Sequence, residues 1–113
     1  MVTDSRGQMG PIKGVLKEEL SRSLRMKKGY ERELAKLPKG SLIKKKVKGH
    51  DYYYLLVRNG SKIRFIYKGK VSEAQIKKYA EAKRYRAKYR GLLSQAKKQI
   101  RFLRSSLRGK ESI

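Results

Sequence analysis

The sequence contains no cysteine, no tryptophan and a single histidine among 113 residues. The absence of cysteine excludes a disulfide framework, a thiolate zinc site and a thiol nucleophile. One histidine excludes the paired-histidine motifs of metal centres. No apolar run approaches the roughly 20 residues that span a bilayer, and the first 20 residues lack the apolar segment of a signal peptide. We therefore expect a cytoplasmic protein without a metal ion or other cofactor.

Acidic residues are scarce as well, because nine Asp and Glu stand against 32 Lys and Arg, which gives a formal net charge of +23. The excess is uneven. Residues 1–38 have nine basic and five acidic residues, residues 39–71 have ten and one, and residues 72–113 have 13 and three. A self-repelling charge of this size is tolerated best when a polyanion neutralises it. The composition therefore indicates a nucleic acid, DNA or RNA, as the partner, in preference to an anionic membrane.

The first part of the chain is predicted to be a short arm followed by a helix. Residues 1–14 include three glycines and Pro11 without hydrophobic periodicity, which is typical of a flexible arm. Over residues 15–37 the leucines at positions 16, 20 and 24 recur every four residues. This spacing predicts a helix, which Pro38 ends.

The middle of the chain changes to a period near two and is rich in β-branched and aromatic residues. This pattern predicts three antiparallel strands at residues 41–47, 51–58 and 61–68. Between the last two strands, Asn59-Gly60 is the dipeptide that a type I′ hairpin turn favours. A two-residue loop at these positions predicts three apolar or aromatic cross-strand pairs on one face of the sheet: Leu56 with Ile63, Tyr54 with Phe65, and Tyr52 with Tyr67.

Alternation along the strands predicts one apolar, aromatic face and one basic face. We expect the aromatic face, which Ile43 and Val47 join, to pack on the core. Lys45 falls on that side and must extend past the sheet edge to water. The basic face is then the outer, solvent-exposed face of the sheet.

The last part of the chain is predicted to be one long helix over residues 72–107, followed by a frayed tail at 109–113. Ser72 with Gln75 three residues later forms a capping-box sequence. The apolar positions beyond residue 88 are spaced as in a heptad seam: Tyr89, Leu93, Ala96, Ile100, Leu103 and Leu107. We expect this seam to pack on the first helix as an antiparallel hairpin arm, or on a protein partner or second copy. The whole is an α+β fold with a single domain over residues 15–108.

Nothing in the sequence favours catalysis. The nine acids are scattered, and no Gly-rich loop has the spacing of a phosphate-binding loop. His50-Asp51 is the one pair that resembles a general base beside a carboxylate, yet it falls in a predicted tight turn, where such residues serve the turn itself. We therefore expect a protein that is not an enzyme.

Lysine and arginine side chains neutralise phosphates, tyrosine rings stack on unpaired bases, and an arginine in a major groove reads guanine, as Arg64 would. Both the outer sheet face and the flank of the second helix combine these residue types. The predicted nucleic-acid-binding residues are Lys44, Lys46, Lys48, Tyr53, Lys62, Arg64, Lys68, Lys77, Lys78, Arg84, Tyr85 and Lys88.

Several segments resemble a family of short prokaryotic proteins in which a helix, a Tyr-rich β-meander and a coiled-coil-like helix follow one another. The resemblance rests on Leu37-Pro38-Lys39-Gly40-Ser41, on Lys48-Gly49-His50-Asp51-Tyr52-Tyr53-Tyr54-Leu55, on Arg58, Gly60 and Lys62, and on Tyr67-Lys68-Gly69-Lys70. It spans residues 15–108 and implies the same fold. A similar meander opens some transposases. Residues 41–85 are also similar to the arm-binding domains of phage-type integrases, which implies that a three-stranded sheet contacts DNA.

These observations together predict a small, strongly basic, non-enzymatic nucleic-acid-binding protein associated with the nucleoid or a ribonucleoprotein. The alternative is an adaptor subunit of a larger nucleoprotein complex, related to a mobile element or phage. Its binding surface would be the helical seam at Tyr89, Leu93, Ile100, Leu103 and Leu107. The choice between DNA and RNA stays open at this point.

Overall fold

The chain folds as a helix, a three-stranded antiparallel sheet and a long second helix, which confirms the predicted α+β class. The computed structural model describes residues 5–111, and side chains are described for residues 12–109. The elements are α1 (Ser5–Lys36), β1 (Ser41–Val47), β2 (His50–Asn59), β3 (Lys62–Gly69) and α2 (Glu73–Glu111).

Both helices are longer than the sequence predicts. Residues 5–14 are helical and not a flexible arm, whereas residues 1–4 lie outside the described part of the chain. The reason is that extending a helix that has already formed is much cheaper than nucleating one, so a few poor helix formers are overridden. At the other end α2 continues through Glu111 into the predicted frayed tail, of which residues 112–113 are not described.

The chain forms two compact units, whereas the sequence predicts a single domain over residues 15–108. One unit, residues 36–88, contains the sheet and the first part of α2. The other unit contains α1 up to residue 35 and α2 from residue 89 onward. We call the first the sheet unit and the second the hairpin unit.

The hairpin unit is an antiparallel pair of helix segments, as predicted. The rings of Tyr30 and Tyr89 lie 6.1 Å apart between centroids, while Ser23, earlier in α1, lines the same groove as Ala96, later in α2. The seam of α2 supplies the buried side chains of this unit, which are Ala96, Ile100, Leu103 and Leu107. The seam is therefore core and not an exposed surface.

The three strands follow one another in space as they do in sequence, with β2 in the centre. Lys48-Gly49 forms the first turn, where both residues have positive φ, of 50° and 81°, as a type I′ turn requires. The second turn is formed by Gly60-Ser61, because Asn59 pairs with Lys62. Only Gly60 has a positive φ there, at 66°, which is the sign pattern of a type II′ turn.

The predicted register of β2 and β3 is therefore wrong by two residues. Leu56 pairs with Phe65 and Tyr54 pairs with Tyr67. Because the side-chain period of a strand is two, a shift of two residues leaves every side chain on its predicted face. A bulge follows, since Tyr53 pairs with Gly69.

The assignment of the two faces to core and solvent is also wrong. Leu55, 7% exposed, is the buried residue of the sheet, and it lies on the face predicted to be outer. The opposite face, predicted to be core, exposes Val47, Ile63, Phe65 and Tyr67. Both faces are apolar at their centre, so alternation alone does not say which one a helix covers.

The sheet unit also contains the first part of α2, which is its only long segment outside the sheet. The Ser72 hydroxyl oxygen accepts a hydrogen bond from the Gln75 backbone N–H at 3.2 Å, which caps the helix as predicted. Ala82, about two turns beyond Gln75, is almost fully buried. Leu55 on β2 and Ala82 on α2 are thus both buried within the sheet unit, and a three-stranded sheet buries a central side chain only under a second layer.

Candidate nucleic-acid interface

All twelve residues predicted to bind nucleic acid lie in the sheet unit. This unit has 17 basic and three acidic residues. Eleven of the twelve side chains are exposed, and Tyr53 is half-buried. The strands and α2 arrange them in two groups with different surroundings.

The strand residues line the margins of the Leu55 face. Lys44 and Lys46 lie on β1, and Lys62 and Arg64 lie on β3, so the two groups flank β2 from opposite edges of the sheet. Two strand spacings, about 10 Å, separate β1 from β3. The prediction of one open basic face is therefore wrong, because the centre of that face is covered. Long lysine and arginine stems pack along such a margin while their charges stay in water.

The other three strand and turn residues have separate positions. Tyr53 pairs with Lys44 across the sheet and is half-buried on the covered face, so its ring is not presented on an open surface as predicted. Lys48 occupies the first turn with a left-handed backbone. Lys68 lies in the bulge beside Gly69.

The helix residues form one exposed stripe along the first part of α2. At 100° per residue, Lys77, Arg84 and Lys88 lie opposite half-buried Tyr79 and buried Ala82. Lys78 and Tyr85 are also exposed but lie nearer to Ala82, at one border of the stripe. Tyr85 is exposed, as its predicted role requires, and Tyr79 is half-buried. The Arg84 guanidinium lies 6.0 Å from the centroid of the Tyr85 ring, within cation–π range. The predicted members of the stripe are Lys77, Lys78, Arg84, Tyr85 and Lys88.

Arg86 breaks the apolar pattern of α2 for a structural reason. Its guanidinium Nη2 donates a hydrogen bond of 2.7 Å to the carbonyl oxygen of Pro38, and the group is partly buried. The bond fixes the segment that enters β1 against α2 within the sheet unit. This basic residue therefore serves the fold and does not belong to the exposed stripe.

One surface is not predicted from the sequence: the open face of the sheet, which presents four aromatic rings. We call it the aromatic face and define it by Tyr52, Tyr54, Phe65 and Tyr67. Phe65 is 64% exposed and Tyr67 is 59% exposed, and Tyr52 and Tyr54 are half-buried. The alternation of aromatic residues along β2 and β3 is the sequence signal for this face, and the same pattern is typical of a buried core.

The rings of the aromatic face touch one another. The centroids of Tyr54 and Tyr67 lie 5.3 Å apart with an edge-on orientation, and those of Tyr52 and Tyr67 lie 6.4 Å apart. His50 continues the row, with its ring 6.4 Å from that of Tyr52. Such tilted contacts hold each ring in place while leaving its outer surface accessible.

A cation also lies on this face. Lys45 pairs with Tyr52 across β1 and β2, and its Nζ atom lies 5.5 Å from the centroid of the Tyr54 ring. This geometry is a cation–π contact. The lysine belongs to the predicted side of the sheet, yet that side is open, so its charge lies among exposed rings.

His50 and Asp51 do not form a catalytic pair. The two residues are consecutive in β2, so their side chains point to opposite faces of the sheet. His50 pairs with Val47, whereas Asp51 pairs with Lys46. The histidine belongs to the row of rings described above.

The hairpin unit has its own basic groove, of about 420 Å³, between α1 and α2. Its only apolar lining residue is Ile100, which belongs to the buried seam. The remaining lining residues are Lys27, Lys97, Arg101, Arg104 and Arg108. The groove extends the positive charge of α2 beyond the predicted site residues.

Within residues 5–111, no group of three or more His, Asp and Glu side chains is placed to hold a metal ion. In the same part of the chain neither helix combines the length and the apolar composition that crossing a bilayer requires.

Comparison with known proteins gives one match. A family model described as a domain of unknown function, DUF6788, matches residues 16–78. The matched segment covers more than half of the chain and includes most of α1, the whole sheet and the start of α2. No curated protein and no solved structure matches the chain significantly. The chain belongs to the DUF6788 family.

Proposed function

We propose that this protein binds nucleic acid through the sheet unit and that phosphate contacts supply most of the affinity. The observation that carries the proposal is the charge of this unit, where 17 basic residues stand against three acids in residues 36–88. Cations that neutralise phosphates release condensed counterions, which drives binding whatever the base sequence.

The arrangement of these charges supports the same function. The stripe on α2 contains Lys77, Lys78, Arg84 and Lys88, and Glu81 is the one acid within its arc. The margins of the sheet add further exposed lysines on both edges. A polyanion that follows this surface would meet cations at many positions, which is typical of backbone recognition.

The experiment is a salt titration of binding. Fluorescence anisotropy of labelled duplex DNA, single-stranded DNA and structured RNA is measured with the protein between 50 and 200 mM NaCl. With six to ten phosphates neutralised, affinity falls by about 10³- to 10⁵-fold over this range. Absence of binding to all three probes at 50 mM NaCl, or an affinity that barely changes with salt, would contradict the proposal.

A matched pair of variants locates the contacts. Lys77→Gln, Lys78→Gln and Arg84→Gln together remove three charges from the α2 stripe, and the salt slope should fall by about two to three. The control removes three exposed charges from α1, where acids are interleaved, at Lys17, Lys28 and Arg32. It should leave the slope nearly unchanged.

A third set tests the hairpin unit as the binding site. Lys97→Gln, Arg101→Gln and Arg104→Gln remove charge from its basic groove. If this set lowers the affinity more than the α2 stripe set does, the main phosphate contacts lie in the hairpin unit and not in the sheet unit.

The surface that the adaptor alternative requires is not accessible in the folded chain. Ile100, Leu103 and Leu107 are buried within the hairpin unit, and Tyr89 and Leu93 are half-buried. A protein partner that used this seam would first have to separate the two helices.

A further inference from the structure

We propose that the aromatic face is a stacking platform for unpaired bases, so that the ligand class is single-stranded nucleic acid or the unpaired segments of structured RNA. This inference rests on the proposed function and adds to it how the protein would select unpaired over paired nucleic acid. It starts from an exposed apolar surface in a strongly charged protein, which is uncommon in a monomer without a partner.

All four rings present π surfaces, and the three tyrosines add a phenolic hydroxyl group at the ring edge. Phe65 and Tyr67 lie two residues apart on β3, so both rings point to the same side of an edge strand. Tyr54 lies beside Tyr67 on the central strand. Every base has a π face but a duplex hides it within the base stack, so such a row of rings selects bases that are unpaired.

The charges around the rings fit the same ligand. Lys45 lies over the Tyr54 ring, and Arg58 pairs with Ile63 at the end of the face near the second turn. Both are positioned to meet the phosphates that flank a stacked base. The sheet unit as a whole contains only three acids against 17 basic residues, so few negative charges repel the strand.

The charge also argues against a second copy as the occupant. A dimer through this face would bring together two chains with a formal net charge of +23 each. An apolar interface would have to overcome that repulsion. A polyanion relieves the repulsion. The charge and the rings together therefore favour a nucleic acid as the ligand of this face.

The first test is truncation of the two exposed rings. Phe65→Ala and Tyr67→Ala should each weaken binding of single-stranded DNA or RNA by about 5- to 100-fold, and duplex DNA much less. Because no charge is removed, the salt slope should stay at the wild-type value. Both side chains are more than half exposed, so the fold should persist, which far-UV circular dichroism verifies.

The matched control is Phe102→Ala. Phe102 is 67% exposed on α2 in the hairpin unit, so its ring is as accessible as that of Phe65. It has no place in the aromatic face. The variant should bind all probes as the wild type does, which separates a specific platform from a general loss of exposed apolar surface.

Two further variants separate stacking from plain hydrophobic contact. Phe65→Leu keeps an apolar side chain but removes the π system, and it should lose affinity as the alanine variant does. Phe65→Trp should keep or raise the affinity. The chain has no other tryptophan, so the indole fluorescence of this variant should be quenched by single-stranded nucleic acid and not by duplex.

The outcomes distinguish the inference from the function on which it rests. If the ring variants bind single strands as the wild type does while the α2 stripe variant loses affinity, the stacking platform is wrong and the proposed function stands. If no probe binds at 50 mM NaCl, the proposed function itself is wrong.

Two other results would also overturn the inference, because they give the face another occupant. One is a dimer in light scattering that Phe65→Ala dissociates. The other is binding to vesicles of anionic phosphatidylserine that Phe65→Ala abolishes while single-strand affinity is unchanged.

Discussion

Gly40 stands where the chain enters β1, and no other residue fits there. Its φ is 98°, and a Cβ atom at this position would lie 2.8 Å from Leu55 Cδ1 and 2.9 Å from the backbone oxygen of Leu56. Gly40→Ala therefore combines a strained backbone with a collision against an atom that cannot move aside. We expect a loss of about 2–4 kcal/mol in the free energy of unfolding, measured by urea denaturation. An unchanged urea midpoint would show that the β1 entry rearranges freely.

Substitution of Gly91 by alanine should change the free energy of unfolding in the opposite direction. It lies inside α2 in the hairpin unit, and a Cβ atom there would meet nothing within 4 Å. Glycine in a helix interior costs about 1 kcal/mol relative to alanine, so Gly91→Ala should raise the free energy of unfolding by about that amount. The same urea experiment checks it. A loss of stability would show that another chain or segment packs against this side of α2.

Lys48 contributes both to the first turn of the sheet and to the positive charge of the sheet unit. Its φ of 50° is left-handed, which costs a lysine more than an asparagine. Lys48→Asn should stabilise the sheet unit by about 1 kcal/mol or less, because Asn-Gly is the preferred type I′ pair. It should also weaken nucleic-acid binding several-fold and lower the salt slope by about one. Denaturation and anisotropy on the same sample test whether stability and affinity move in opposite directions.

At the scale of elements, α2 has two adjacent residues with opposite surroundings, one in the seam and one outside it. Leu103 is 4% exposed and Phe102 faces water. Leu103→Ala should lower the free energy of unfolding by about 2–5 kcal/mol, because it leaves a cavity in the hairpin unit. Phe102→Ala should change it by less than about 0.5 kcal/mol. Equal effects of the two substitutions on the thermal transition would mean that the seam is not the core of the hairpin unit.

The helices and strands themselves could be predicted from the sequence, because the signals that predict them are local. Period-two alternation, the Ser72 cap and the heptad seam each reflect local geometry that the structure retains. The second turn differs because Gly60 alone supplies the positive φ that a type II′ turn needs. That choice brings Tyr54 opposite Tyr67, whose rings then touch. Both registers pair aromatic residues across β2 and β3, so the aromatic pattern alone does not choose between the two turns.

The candidate site was harder to predict because exposure is a property of the whole fold. Leu55 and Phe65 are both apolar residues in alternating strands, and nothing local distinguishes the covered one from the open one. The deciding fact is which face a helix from elsewhere in the chain covers. The exposure of the basic residues on α2 could be predicted, since a helix that buries the side of Tyr79 and Ala82 exposes the rest of its surface.

At the scale of the whole molecule, the net charge of +23 acts on stability as well as on binding. Self-repulsion disfavours the compact state, and the Debye length falls from about 30 Å at 0.01 M salt to 10 Å at 0.1 M. The melting temperature should therefore rise when NaCl is increased from 10 to 300 mM. The Lys77, Lys78 and Arg84 to Gln variant should start higher and rise less, because fewer charges repel one another.

A single-stranded oligonucleotide should reverse this salt dependence. At low salt, a ligand at 100 times its dissociation constant stabilises the native state by about 2.7 kcal/mol, equivalent to roughly 4 °C in melting temperature for each kcal/mol. That gain disappears as salt weakens binding, while salt alone stabilises the free protein. The melting curves with and without oligonucleotide should therefore converge between 50 and 300 mM NaCl, as followed by circular dichroism. If the difference between the two melting temperatures does not change with NaCl concentration, the same charges do not govern both stability and binding.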